Sequence, residues 1–142
     1  MLNLHYPEDI QVIGDGYDVM VRPYVTIEEK NVIINAMLGE QNILDRQAIM
    51  DSFLLKFCVP SENFDGMNYD LLLASGLMYK IRDILYTDIS DIDRCIKRIE
   101  SVEMNVSNFL DELSKATRKF AKNFASKEQV AQLLESLEKM NK

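Results

Sequence analysis

The sequence is poor in the residues that catalysis most often uses. It has one histidine, His5, in a polar N-terminal stretch. A lone terminal histidine has neither the nucleophile nor the orienting acid of a Ser-His-Asp or Cys-His arrangement. There are two cysteines, Cys58 and Cys95, and neither has a C-x-x-C partner, which argues against a zinc site. Both fall in apolar helical patterns, so they are expected to be buried, reduced thiols of an intracellular protein. Three prolines and five glycines are few breakers for 142 residues, which favours helices over many short strands. No window approaches the roughly 18 apolar residues that span a bilayer. The N-terminus MLNLHYPEDIQV lacks the basic start and apolar run of a signal peptide, so a cytoplasmic location without membrane association is expected.

The motifs that hold phosphates or metals are also missing. GDG (14–16) is neither G-x-x-x-x-G-K-[ST] nor G-x-G-x-x-G. In TDISDID, Asp88, Asp91 and Asp93 resemble the start of a calcium loop. Ile92 and Cys95 fall where ligands are needed and no glycine follows, so these carboxylates read as acids at a helix N-terminus. Glu28 and Glu29 point in different directions on a helix and cannot share a substrate. The expectation is a non-enzymatic protein with no catalytic, cofactor-binding or metal residues.

What is present is an apolar, helical, acidic chain. Hydrophobic residues make up 47%, charged residues 27%, and mean hydropathy is −0.14, values that suit a globular domain with a core. The net charge of −7 lies in residues 1–65, with 11 acidic and 4 basic side chains, whereas residues 66–142 carry 12 of each. An acidic half repels phosphate backbones, which disfavours nucleic acid as a partner. The two helical stretches joined near Gly39 have the order of a helix-turn-helix, but NILDRQAIMD is too acidic for a reading helix.

Residues 1–8 read as an arm. IQVI (10–13) and YDVMV (17–21) alternate about GDG, the pattern of a β-hairpin. Pro23 ends the strand. Thr26 with Glu29 forms a capping box for a first helix, with Ile27, Ile33, Ile34, Met37 and Leu38 facing inward and Gly39 as a left-handed cap. A second helix is predicted from about Ile43 to Phe57, followed by the loop VPSENFDG. The third helix, Tyr69 to Tyr86, is the most apolar, with Ser75-Gly76 marking a kink or a close backbone approach. A fourth, about 89–102, would start at an Asp88 or Ser90 cap. A fifth covers about 106–123, and a sixth starts at the Ser126–Gln129 capping box. The narrow stripes of the last three suit helix-on-helix packing, within the chain or with a partner. The predicted fold is mainly α: a compact bundle of five to six helices behind an N-terminal arm and β-hairpin, divided as 1–25 and 26–142.

SKATRKFAKNFASK (114–127) holds five basic residues and no acid. Lys115, Arg118, Lys119 and Lys122 lie on adjoining helical faces with Phe120 and Phe124 between them. This reads as a solvated face beside core aromatics, or as a docking strip for an acidic surface, including the N-terminal half of another copy. The eight methionines serve as core filler or as adaptable binding surface.

YVTIEEKNVIINAML leading to LLKFCV, then YDLLLASGLMYKIRDIL and a charged helical C-terminus, resembles the tail assembly chaperones of long-tailed bacteriophages. The resemblance covers residues 24–142 and omits the hairpin at 10–21. It implies a host-cytoplasmic, non-enzymatic factor that coats a long helical tape-measure protein, prevents its aggregation and recruits tail-tube subunits during virion assembly. An amphipathic partner helix would lie in an apolar groove. Leu72 and Met78 are the candidate groove residues, and Lys115, Arg118, Lys119 and Lys122 the candidate polar contacts. Two other readings remain: a small acidic inhibitor or adaptor of a host enzyme, and a self-associating structural virion subunit.

Overall fold

A computed structural model describes residues 1–124 and 127–141. The chain is mainly helical, with an N-terminal hairpin followed by six helices among the described residues. It divides into two compact units, Met1–Ile96 and Lys97–Lys142.

The first unit begins with strands β1 (Ile10–Gly14) and β2 (Tyr17–Val21), paired antiparallel with Val12 opposite Val19 and Gly14 opposite Tyr17. The turn is Asp15-Gly16, and Gly16 alone takes the positive φ, +85°. Val12, Val19 and Val21 point into the core. Arg22 N–H donates to the Cys58 carbonyl at 2.8 Å, and Lys80 Nζ donates to the Ile13 carbonyl at 2.8 Å. The hairpin therefore packs on the helices and belongs to their unit, not to a separate segment ending at residue 25.

Helix α1 (Ile27–Leu38) starts at the expected capping box, with Thr26 Oγ1 accepting from Glu29 N–H and Glu29 Oε2 accepting from Thr26 N–H. Ile33, Ile34 and Met37 are buried, but Ile27 at the first turn is exposed. Gly39 has φ −77° and ψ −8°, so the helix ends on a right-handed residue and not on a left-handed cap. Helix α2 (Ile43–Cys58) is capped by Asn42 Oδ1 and packs against α1. It buries Met50, Leu54, Leu55 and Cys58 and leaves Ile43 exposed.

The predicted third helix is two: α3 (Tyr69–Ala74), capped by Asn68, and α4 (Leu77–Ile84). Gly76 between them has φ +79°, a conformation that stops a helix. Ser75 bridges the break: its hydroxyl donates to the Leu72 carbonyl at 2.7 Å and accepts from Leu77 N–H at 3.2 Å. The predicted fourth and fifth helices are one continuous helix, α5 (Tyr86–Phe124). No proline or glycine interrupts residues 103–108, and the helix runs through them. Its residues up to Ile96 belong to the first unit, where Ile92 and Ile96 complete the core with Leu85, Ile81 and Met78. Helix α6 (Lys127–Met140) lies in the second unit. The Ser126 cap falls outside the described residues.

A candidate helix-binding surface on α5

Within the second unit, α5 carries Ile99, Val102, Val106, Phe109, Leu113, Ala116 and Phe120. The intervals alternate three and four, so at 100° per residue all seven lie along one stripe. The stripe is open: Val102 is 55% exposed, Val106 53%, Phe109 63% and Phe120 60%, with Ile99 and Leu113 somewhat lower. Lys97, Glu100, Asp111, Lys115, Arg118 and Lys122 fall on the opposite face. Upstream on the same helix, Ile92 and Ile96 are buried in the first unit. The apolar row therefore serves folding up to Ile96 and faces solvent from Ile99 onward. A contiguous exposed apolar row of this length, rimmed by charge, is the physical mark of an interaction surface.

Lys115, Arg118, Lys119 and Lys122 are all exposed. Lys115 Nζ pairs with Asp111 Oδ2 at 2.9 Å one turn away, a bond and a charge that raise the Lys115 pKa. Phe120 is exposed, not a core aromatic of the kind expected beside these cations. The groove residues fare differently. Met78 is fully buried in the first unit, and Leu72 is buried on the wall of a pocket. Met78 therefore presents no surface to a partner. An apolar helix was legible at these positions, but Leu72, Met78 and Leu85 go into the core while Leu71 stays exposed.

That pocket, about 760 Å³, opens in the first unit between α2, the 59–68 loop and α3, with Phe53, Lys56, Phe64, Met67, Tyr69 and Leu72 around it. Its hydroxyls are already engaged. Ser52 Oγ donates to the Ala48 carbonyl at 2.8 Å, and Tyr69 O–H donates to Asp51 Oδ2.

Asp51 is a buried carboxylate with no exposure. Arg82 of α4 grips it with Nε to Oδ1 at 3.0 Å and Nη2 to Oδ2. The hydrogen bond to Asp51 is the main cause that raises the Arg82 pKa, while burial and then the Asp51 bond push Tyr69 up to about 12. This cluster ties α2, α3 and α4 together and keeps each charge paired.

A second network closes the other side of the first unit. Lys30 Nζ meets Asp88 Oδ1 at 2.7 Å and Asp91 Oδ2 at 3.3 Å, while Asp88 Oδ2 accepts from Val25 N–H at 3.1 Å. The bond to Asp88 is the main reason the Lys30 pKa is raised. Arg22 pairs with Glu29, and that bond and charge raise its pKa although burial opposes them. Asp88 is thus not an N-cap; it joins α5 to the start of α1. No group of His, Cys, Asp and Glu able to hold a metal ion occurs among the described residues.

Cys58 is buried, its thiol pushed up to about 11 by desolvation and its Sγ 3.6 Å from the Tyr24 carbonyl. Cys95 is exposed, contrary to the expected buried position, because it lies off the Ile92–Ile96 face. No described helix is long and apolar enough to cross a membrane. A scan against protein-family models and searches of curated proteins and of solved structures find no match for this chain.

Proposed function

We propose that this protein is a non-enzymatic assembly factor that holds an amphipathic helix of a long helical partner, as the tail assembly chaperones it resembles hold a tape-measure protein. The observation that carries the reading is the exposed apolar stripe of α5, Ile99 to Phe120. A helix lying along it would bury its own apolar face against these side chains and set its polar residues near Lys119, which borders the stripe. The binding surface moves accordingly from Leu72 and Met78 to α5; of the four basic residues only Lys119 borders it, since Lys115, Arg118 and Lys122 lie on the opposite face.

The test is affinity capture from the native cell or infected lysate, at low and high salt, with the wild type and a Val106→Asp, Leu113→Asp variant. A helix-rich partner retained at high salt by the wild type and lost by the variant supports the reading. Apolar burial depends little on ionic strength. One other reading has its own support: residues 1–96 carry 16 acidic and 7 basic side chains, a balance of −9. An acidic inhibitor of a basic host enzyme would release its target at high salt and be indifferent to the α5 variant.

A further inference from the structure

We propose that a second copy of this chain covers the α5 stripe, the two helices lying parallel and in register as a short two-stranded coiled coil. The proposal rests on the stripe being an interface, as in the reading above, and names the second copy as its occupant in the free protein, which a partner helix would have to displace.

Helices that pair repeat their apolar residues every 3.5 positions, at heptad sites a and d. Ile99, Val106, Leu113 and Phe120 occupy a; Val102, Phe109 and Ala116 occupy d. The remaining charges then sort as a coiled coil requires. Lys97, Asp111 and Arg118 take the outermost f position, Lys115 and Lys122 take c, and Glu100 takes b. None falls at a or d.

Charge complementarity sets the direction. In a parallel pair, each g residue faces the e residue five positions on in the other helix. Arg98 then meets Glu103 of the second copy, twice by symmetry. Asn105 meets Leu110 and Glu112 meets Thr117, so no like charges face each other. In an antiparallel pair, g faces g. The register that sets Val102 against Leu113 of the second copy puts Arg98 opposite Lys119. The register that sets Val106 against Ala116 puts Glu112 opposite its own equivalent. Sliding the pair toward the N-terminus is blocked because Ile92 and Ile96 are already buried in the first unit.

With the exposures observed, the stripe offers roughly 500 Å² of apolar surface per copy, and a pair would bury about 1,000 Å², the lower bound for a specific interface. The interface is isologous and closes with two chains, so it makes a dimer and not a filament.

The test uses the full chain. Sedimentation equilibrium from low to high micromolar concentration is expected to give a dimer that dissociates on dilution. The Val106→Asp, Leu113→Asp variant should be monomeric throughout with unchanged near-ultraviolet tyrosine dichroism, because all six tyrosines lie in residues 1–96. Added salt should leave dimerisation unchanged or tighten it, since the seam is apolar and the acidic first units repel each other. For orientation, Val102→Cys in a Cys95→Ser background should form an interchain disulfide on mild oxidation, whereas the outward Ser101→Cys should not. A mixture of Val102→Cys and Leu113→Cys chains should give only homodimeric crosslinks. A wild-type monomer at every concentration, or crosslinks between positions 102 and 113, overturns the proposal. A monomer that still captures a helical partner would sink the dimer and spare the assembly-factor reading. A dimer that captures nothing would do the reverse.

Discussion

Replacing Arg82 by leucine should be among the most damaging single changes in the first unit. Asp51 has no solvent exposure, and Arg82 supplies two of its three hydrogen bonds. Without the guanidinium, the carboxylate keeps only the Tyr69 hydroxyl and stays buried with its charge uncompensated. Breaking a buried pair in this way costs about 3–5 kcal/mol. A domain of this size is stable by about 5–15 kcal/mol in all, so roughly a fifth or more of the margin would go. Leucine keeps most of the aliphatic bulk, so lost packing against Tyr79 is a smaller part of the effect.

The assay is urea unfolding of Arg82→Leu, Asp51→Leu and the double variant. The chain has six tyrosines and no tryptophan, and every tyrosine lies in the first unit. Tyrosine emission therefore follows that unit without interference from the second, which keeps a two-state treatment defensible. Each single change should lower stability by several kcal/mol. The double change, which removes both charges, should cost clearly less than the sum and fall within about 1–2 kcal/mol of wild type or above it. A loss below about 1 kcal/mol for Arg82→Leu, or simple additivity in the cycle, would refute the claim that this pair is desolvated and mutually dependent.

Two further outcomes follow from the first unit. Tyr69 has its pKa raised to about 12 from an ordinary value near 10, so the folded state favours the protonated phenol. That contribution is full below pH 10 and is lost as pH rises toward 12; alkaline titration of stability should fall across this window, and Tyr69→Phe should flatten the fall. Gly76→Ala should cost about 1–2 kcal/mol through backbone strain alone, because φ is +79° while nothing lies within 4 Å of the added methyl. An equal or larger stability measured by the same urea assay would mean the α3–α4 break can close into one helix.

How much of this was legible depended on the distance over which each feature is decided. The Thr26–Glu29 box is a four-residue event, and it formed as read. The hairpin is likewise local, and its Gly16 took the turn. Gly39 shows the limit of local reading, since glycine permits a left-handed cap without requiring one. The Ser75-Gly76 pair was visible as an interruption, but whether it bends a helix or ends it was decided by the positive φ of Gly76 and by the serine hydroxyl bridging one carbonyl and one amide. Asp51 and Arg82 lie 31 residues apart, as Lys30 and Asp91 lie 61 apart, and no pattern in the chain pairs them. Of the α5 stripe, Ile99, Phe109, Leu113, Ala116 and Phe120 were legible as apolar rows, although on two helices and not on one. Its openness could not be read, because periodicity records that a face is apolar and says nothing of what covers it.

The same row of residues on α5 thus has two physical roles, separated at Ile96. Up to it, Ile92 and Ile96 are almost wholly buried, and truncating either would leave a cavity and cost stability. After it, Ile99, Val102, Val106 and Phe109 are 36–63% exposed, and their truncation removes little that the isolated chain has already buried. A helix kept apolar where its own fold does not need it is selected for contact outside that fold, or it is neutral. The charge placement argues against neutrality. Chance would scatter lysines and glutamates over all seven heptad positions, yet between residues 97 and 122 none occupies a or d. Under the proposed reading, mutation of the stripe beyond Ile96 leaves stability alone and changes association.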